Sequence, residues 1–104
     1  TNAVRLDVPT VSTTVGANTI TDITASSGGQ TITGSLLSAK GVVWHTSSAP
    51  TVALTTKTNE GTSTANFTSS LASLSPETQY YVRAYATNSL GTVYGAVQTF
   101  TTSP

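Results

Sequence analysis

Residues Leu74 to Asn88, LSPETQYYVRAYATN, constrain the fold more than any other part of the chain. A turn-forming start gives way to strict alternation. Tyr80, Val82, Ala84 and Ala86 take one parity, and Tyr81, Arg83, Tyr85 and Thr87 take the other. Alternate residues of an extended chain point to opposite faces, so this is a strand with a core-facing side. A helix would need apolar residues three and four positions apart over a dozen residues, and no window supplies them.

A strand of this kind needs neighbours, and the chain offers several. Residues 1–8 have no period and read as a lead-in or linker, with the domain running over 9–104. Pro9 to Thr14 is a β-branched run that predicts a first strand, with proline tolerable at its start. Gly16-Ala17-Asn18 interrupts it. From Thr19 to Thr33 the apolar points Ile20, Ile23, Ala25 and Ile32 do not keep one parity, so a single flat strand is not expected. Ser26-Ser27-Gly28-Gly29 predicts a bend or bulge there, or a close overhead crossing by a large side chain. Gly34 to Ala39 reads as a loop whose Leu36 or Leu37 caps the core.

Lys40 to Thr46 is a third strand, with Val42 and Trp44 placed inward and Val43 and His45 outward. The opposite phase would bury the histidine and expose the largest apolar body in the chain. Ser47 to Thr62 is loop-like, broken at Pro50 and at Asn59-Glu60-Gly61, with Val52-Ala53-Leu54 as a short edge strand. From Ser63 to Leu71, Ala65, Phe67, Ser69 and Leu71 share a face. After the Asn88-Ser-Leu-Gly91 turn, Thr92 to Thr102 is the last strand. Phe100 points inward there, and Gly95 breaks the parity as a bulge would. Short strands, turn signals at regular spacing and no helical period predict an all-β, antiparallel, seven-stranded β-sandwich. Its core is expected from Trp44, Phe67, Leu71, Leu74, Tyr80, Val82 and Phe100.

The 104 residues suit one domain large enough to bury its own core. Charged residues are only 8% of the chain and the formal net charge is zero. No basic patch is offered to nucleic acid, and no apolar run approaches the ~20 residues of a membrane span, so neither partner is expected. Solubility falls to hydroxyls, since roughly a third of the residues are Ser or Thr. The absence of cysteine removes disulfides, thiolate metal sites and thiol nucleophiles together. A chain without Cys or Met, and poor in Lys and Glu, suits an oxidising exterior, so a secreted or cell-surface location is expected. No signal peptide is present and the first residue is Thr1, which reads as a mature fragment or a module of a longer protein.

The run Leu74-x-Pro76-x-Thr78-x-Tyr80-x-Val82 resembles the turn into the sixth strand of fibronectin type III domains, an Ig-like architecture. By that resemblance Leu74 plugs the bottom of the core and Tyr80 forms a tyrosine corner, its hydroxyl bonded to nearby backbone. Gly41 to Thr102 further resembles the fibronectin-III-like modules found in tandem in large secreted or cell-surface proteins of Gram-negative bacteria. The carriers are GVVWHTS, NFTSSL, YYVRAYATNS, Tyr94-Gly95 and the closing Phe-Thr-Thr. One departure is the single Trp, which falls on the third strand here and on the second in typical members. No Arg-Gly-Asp occurs. The resemblance implies a non-catalytic structural or spacer module, packing against adjacent domains of the same protein or copies of itself.

Groups able to do chemistry are few. His45 is the only histidine, and a triad with a serine and Asp7 or Asp22 lacks any nucleophile-elbow motif. The carboxylates Asp7, Asp22, Glu60 and Glu77 fall in separate loops and turns, which argues against paired acid chemistry and against a metal site. No enzyme activity, cofactor or metal is expected. Asn66-Phe67-Thr68 matches the glycosylation acceptor pattern, with the unmodified reading preferred for a bacterial chain. Lys40 and Lys57 have no buried acid evident beside them to promote an isopeptide bond. Tyr81, Arg83 and Tyr85 line one strand face, with Tyr94 nearby. Either they form an exposed aromatic platform for a polysaccharide or a protein neighbour, or they pack on one another and cover the sheet. The second reading is preferred. A third role, subunit of a self-assembling extracellular polymer, stays open.

Overall fold

The computed structural model describes residues 9–15, 20–33, 37–46, 50–52 and 56–104. The lead-in with Asp7, the Gly16-Ala17-Asn18 break, Leu36 and Ala53-Leu54 lie outside the described residues. Seven strands are described: β1 (Thr10–Val15), β2 (Ala25–Thr33), β3 (Ala39–His45), β4 (Phe67–Leu71), β5 (Gln79–Asn88), β6 (Gly91–Tyr94) and β7 (Gln98–Thr101). They form two antiparallel sheets, one ordered β1-β2-β4 and the other built on β3-β5-β6 with β7 also paired to β5. This is an all-β sandwich.

The alternating stretch becomes β5, the central strand of its sheet. β3 pairs with it from Ala39↔Thr87 to His45↔Tyr81. On its other side β6 pairs with residues 85–88 and β7 with residues 79–82. The last strand is therefore divided. Between Tyr85↔Tyr94 and Val82↔Gln98, two residues of β5 face three of the other strand, the signature of a bulge. The bulge reassigns the backbone groups of Ala84. Its carbonyl accepts the Gly95 N–H at 2.8 Å, and its N–H goes to Thr13 Oγ1 of β1, in the opposite sheet, at 2.8 Å. Gly95 is needed because a Cβ there would stand 2.6 Å from Thr13 Oγ1 and 2.9 Å from its backbone nitrogen.

A second bulge lies in β2. Thr10 pairs with Thr33 but Ser12 pairs with Gln30, so the extra residue falls between Gln30 and Thr33. The bend or bulge expected at Ser26–Gly29 is not there; those residues belong to continuous β2. The two glycines serve the other expected use, a close crossing by a large side chain. A Cβ on Gly29 would come 2.6 Å from the Phe67 ring, and one on Gly28 would meet the Phe67 carbonyl. The final strand count also arises differently from the sequence expectation. Val52 lies in a turn, and β4 begins only at Phe67, with Ser63 to Asn66 exposed.

Val42, Trp44, Leu71, Leu74, Tyr80, Val82 and Phe100 lie in one buried cluster with Val11, Ile32 and Leu37, and Phe67 packs against it partly buried. Tyr80 and Phe100 sit directly opposite on neighbouring strands and stack at 5.6 Å between centroids. The Tyr80 hydroxyl accepts the Ser75 N–H at 2.8 Å, so a buried ring keeps its polar tip satisfied while fixing the turn before β5. That turn holds Ser73 and Glu77 at positive φ. The end of the chain braces it: Thr102 Oγ1 donates to Ser75 O at 2.6 Å and accepts the Thr78 N–H at 2.9 Å.

Tyr80→Phe removes the acceptor of the Ser75 N–H and is expected to cost on the order of 1 kcal/mol in urea unfolding. Gly95→Ala forces β1 away from the bulge and is expected to cost about 1–3 kcal/mol. An unchanged denaturation midpoint in Gly95→Ala would contradict the described packing.

Candidate functional site

The outer face of the β3–β5–β6 sheet carries the side chains singled out by the sequence. Cross-strand register sets Gly41 opposite Tyr85, Val43 opposite Arg83, His45 opposite Tyr81, and Tyr94 opposite Tyr85. These residues share the face away from the core, yet much of it is covered. Val43, expected outward, is 0% exposed, and Tyr85 is 4% exposed. The cover comes from the connection between β3 and β4. Pro50 is buried there, and its carbonyl accepts Arg83 Nε–H at 2.7 Å. Tyr94 Oη accepts the Val52 N–H at 3.0 Å, and Lys57 Nζ donates to Val52 O at 2.7 Å.

The residues themselves interlock. The Arg83 guanidinium carbon stands 3.8 Å from the centre of the Tyr94 ring, a cation–π contact that occupies that ring face. The Tyr85 hydroxyl donates to Thr58 O. Gly41 makes room for that carbonyl, since a Cβ there would lie 2.1 Å from it. An exposed platform through Tyr81, Arg83, Tyr85 and Tyr94 is therefore not what these side chains form. Tyr85 is buried, Tyr94 carries the arginine, and Tyr81 and Arg83 are half-buried. The missing signal was the cover given by residues 50–52 and 56–58: the sequence predicts a short edge strand from Val52, whereas Val52 lies in a turn and its N–H meets Tyr94.

Residues 56–60 also run beside β3 as an irregular edge. Trp44 N–H donates to Thr56 O at 3.0 Å, Thr58 N–H to Val42 O at 2.9 Å, and Val43 bridges Lys57. From this edge a hydroxyl relay crosses to the other sheet. Val42 N–H donates to Thr58 Oγ1 at 3.0 Å, Thr58 and Ser69 hydroxyls meet at 2.7 Å, and Ser69 Oγ donates to Glu60 Oε2 at 2.8 Å. Ser69 spends its proton on Glu60, so the Thr58 hydroxyl donates to Ser69. Beside the relay lies Lys40. It is 2% exposed and on the same side of β3 as Val42 and Trp44. Its amine donates to Ala65 O at 2.7 Å and to Ser63 Oγ at 3.1 Å, 5.4 Å from the Phe67 ring centre. Charge is thus buried against oxygens and a π face, tying β3 to the run before β4.

His45 is half-buried at the end of β3, while Asp22 and Glu77 are exposed in separate turns. Asn66 is exposed. Among the described residues no group of three or more His, Cys, Asp or Glu side chains is placed to hold a metal ion. No described helix is long and apolar enough to cross a membrane.

Burial raises the Tyr85 phenol above its ordinary 10.0, and the Glu60 carboxylate raises it further. The folded state therefore holds this proton more tightly than the unfolded state. Its contribution to stability is complete below pH 10 and declines as pH rises from there through the raised value. In chemical denaturation above that pH, the stability of the natural chain is expected to fall more steeply than that of Tyr85→Phe. Parallel pH profiles would show that the phenol is not held as described.

No protein-family model matches the chain, and no curated protein matches it in sequence. Solved structures do resemble it in shape. The crystal structure of chicken CNTN1 FN1–FN3 domains superposes with a TM-score of 0.67 at 18% identity, over 94% of this chain. The chain spans only 32% of that structure's length, about one of its three domains. The solution structure of the sensor domain of the anti-sigma factor RsgI4 in Pseudobacteroides cellulosolvens gives 0.62 at 18% identity, covering 90% of this chain and 76% of that one. At such identity the likeness concerns fold alone, and the fold is a fibronectin type III-like antiparallel β-sandwich.

Proposed function

We propose that the chain is a non-catalytic structural module of a secreted or cell-surface protein, acting as a spacer that packs against neighbouring modules. The observation that carries this reading is the internal use of its reactive and recognition-capable side chains. Lys40 serves Ser63 and Ala65, Arg83 serves Pro50 and Tyr94, and Tyr85 serves Thr58. Such groups hold a surface together and leave little for turnover or ligand capture. The ends of the described chain add support. β1 begins at Thr10, level with Thr33 at one end of the sandwich, and β7 finishes at Thr101, level with Gln79 at the other. A chain that enters at one end and leaves at the other suits a string of modules. The polysaccharide-binding reading through Tyr81, Arg83, Tyr85 and Tyr94 has less behind it, because the platform is covered.

Antibody raised against the module is expected to label intact cells of the source organism, and to detect a polypeptide much longer than 104 residues. A free cytoplasmic protein of this length, labelled only after permeabilisation, would sink the reading. Replacing the module within its parent by an unrelated sandwich of equal length should leave the parent's activity intact. Loss of activity on that exchange would point to a specific binding role.

A further inference from the structure

The two ends of the sandwich differ in a complementary way. At one end β5 turns into β6 through a two-residue loop, Ser89-Leu90, between the paired Asn88 and Gly91. Asn88 Oδ1 accepts the Leu90 N–H at 2.9 Å, and Gly91 supplies a positive φ, so the loop is well fixed. Leu90 stands at its tip, 52% exposed. A single exposed leucine is ordinary on a protein surface. The tip of a two-residue hairpin, however, favours Gly, Asn or Asp, and leucine there adds nothing to the core.

At the opposite end, where β3 finishes and the β4–β5 connection begins, lies a cavity of about 220 Å³. Trp44, Tyr80 and Leu74 supply its apolar walls, and Ala72, Thr56 and His45 lie around it. Next to it Ile23 is 48% exposed, with its carbonyl accepting the Leu74 N–H. The volume is below the roughly 300–1,000 Å³ of pockets that take drug-sized ligands, and suits one branched aliphatic side chain. Knob and hole therefore sit at opposite ends of one strand, β5.

We infer that copies of this fold stack head to tail, with Leu90 of one copy seated in the Trp44–Leu74–Tyr80 cavity of the next. The inference rests on the spacer reading and gives it a contact. Because knob and hole are different patches, the contact is heterologous. It leaves a free knob and a free hole at the ends and propagates rather than closing. One side chain in a small cavity holds two free copies weakly, in roughly the millimolar range. A tether between modules raises the effective concentration and makes the same contact persistent.

The chain has no cysteine and one tryptophan, which makes the test clean. Leu90→Cys and Ala72→Cys chains are mixed and oxidised. They are expected to form the mixed disulfide about ten times faster than Leu90→Cys mixed with Thr68→Cys, a control at an exposed position of β4. Equal rates would overturn the proposal. In the natural chain, sedimentation mass and Trp44 emission are expected to change together with concentration, and Leu90→Asp to abolish both changes. A mass that stays monomeric into the millimolar range, or association unaffected by Leu90→Asp, would overturn it as well. Either result leaves the location of the parent protein, and so the spacer reading, to its own test.

Discussion

Everything in the larger sheet hangs on β5. It is hydrogen-bonded along one side to β3 and along the other to β6 and then β7, so no other strand of that sheet can be placed without it. Its inner face is narrow for much of its length, with Ala84 and Ala86 fully buried. Small side chains let the opposite sheet come close, and the first strand uses that closeness to send Thr13 across to the Ala84 amide. The bulk is concentrated near the start of β5, where Tyr80 stacks on Phe100. The strand is therefore both the sheet's template and the gauge of the gap between the sheets.

A sandwich has two open sides, and this one closes both with hydroxyls and very little charge. On one side Thr13 reaches into the bulge opposite Gly95. On the other, Thr58 and Ser69 join the edge beside β3 to β4, with Glu60 at the end of the relay and Lys40 alongside. This gives the Ser- and Thr-rich composition a structural use beyond solubility. A hydroxyl can donate and accept at once, so one side chain serves two backbone or side-chain partners in a confined gap. No buried side-chain nitrogen or oxygen is left unpartnered among the described residues.

Much of the fold was legible because parity along a strand is a local property. Tyr80, Val82, Trp44 and Phe100 declare their side by alternation, and Gly95 declares a break in it. What parity cannot report is what lies over the outer face. Val43 and Tyr85 read as outward, which is true of their direction, but both are buried. Their cover is an irregular segment held by carbonyls and backbone amides, with no periodic side-chain signal. Lys40 is the same lesson in reverse. A lysine opening a strand reads as exposed, although it shares parity with Val42 and Trp44. Of the two uses expected at Ser26–Gly29, the crossing by a large side chain is the one present: Gly28 and Gly29 answer to Phe67 on a strand some forty residues away, and the bulge lies beyond them.

The entry and exit of the chain at opposite ends bear on how the fold carries tension. A pull on the two ends runs along the strands. β1 lies antiparallel to β2 over its whole length, and β7 lies against β5. Their hydrogen bonds are thus loaded side by side in shear and must yield as a group, unlike a hairpin unzipped from one end. The link from Thr13 to Ala84 ties the first strand to β5, the strand that also carries β7, so part of the load passes between the two sheets.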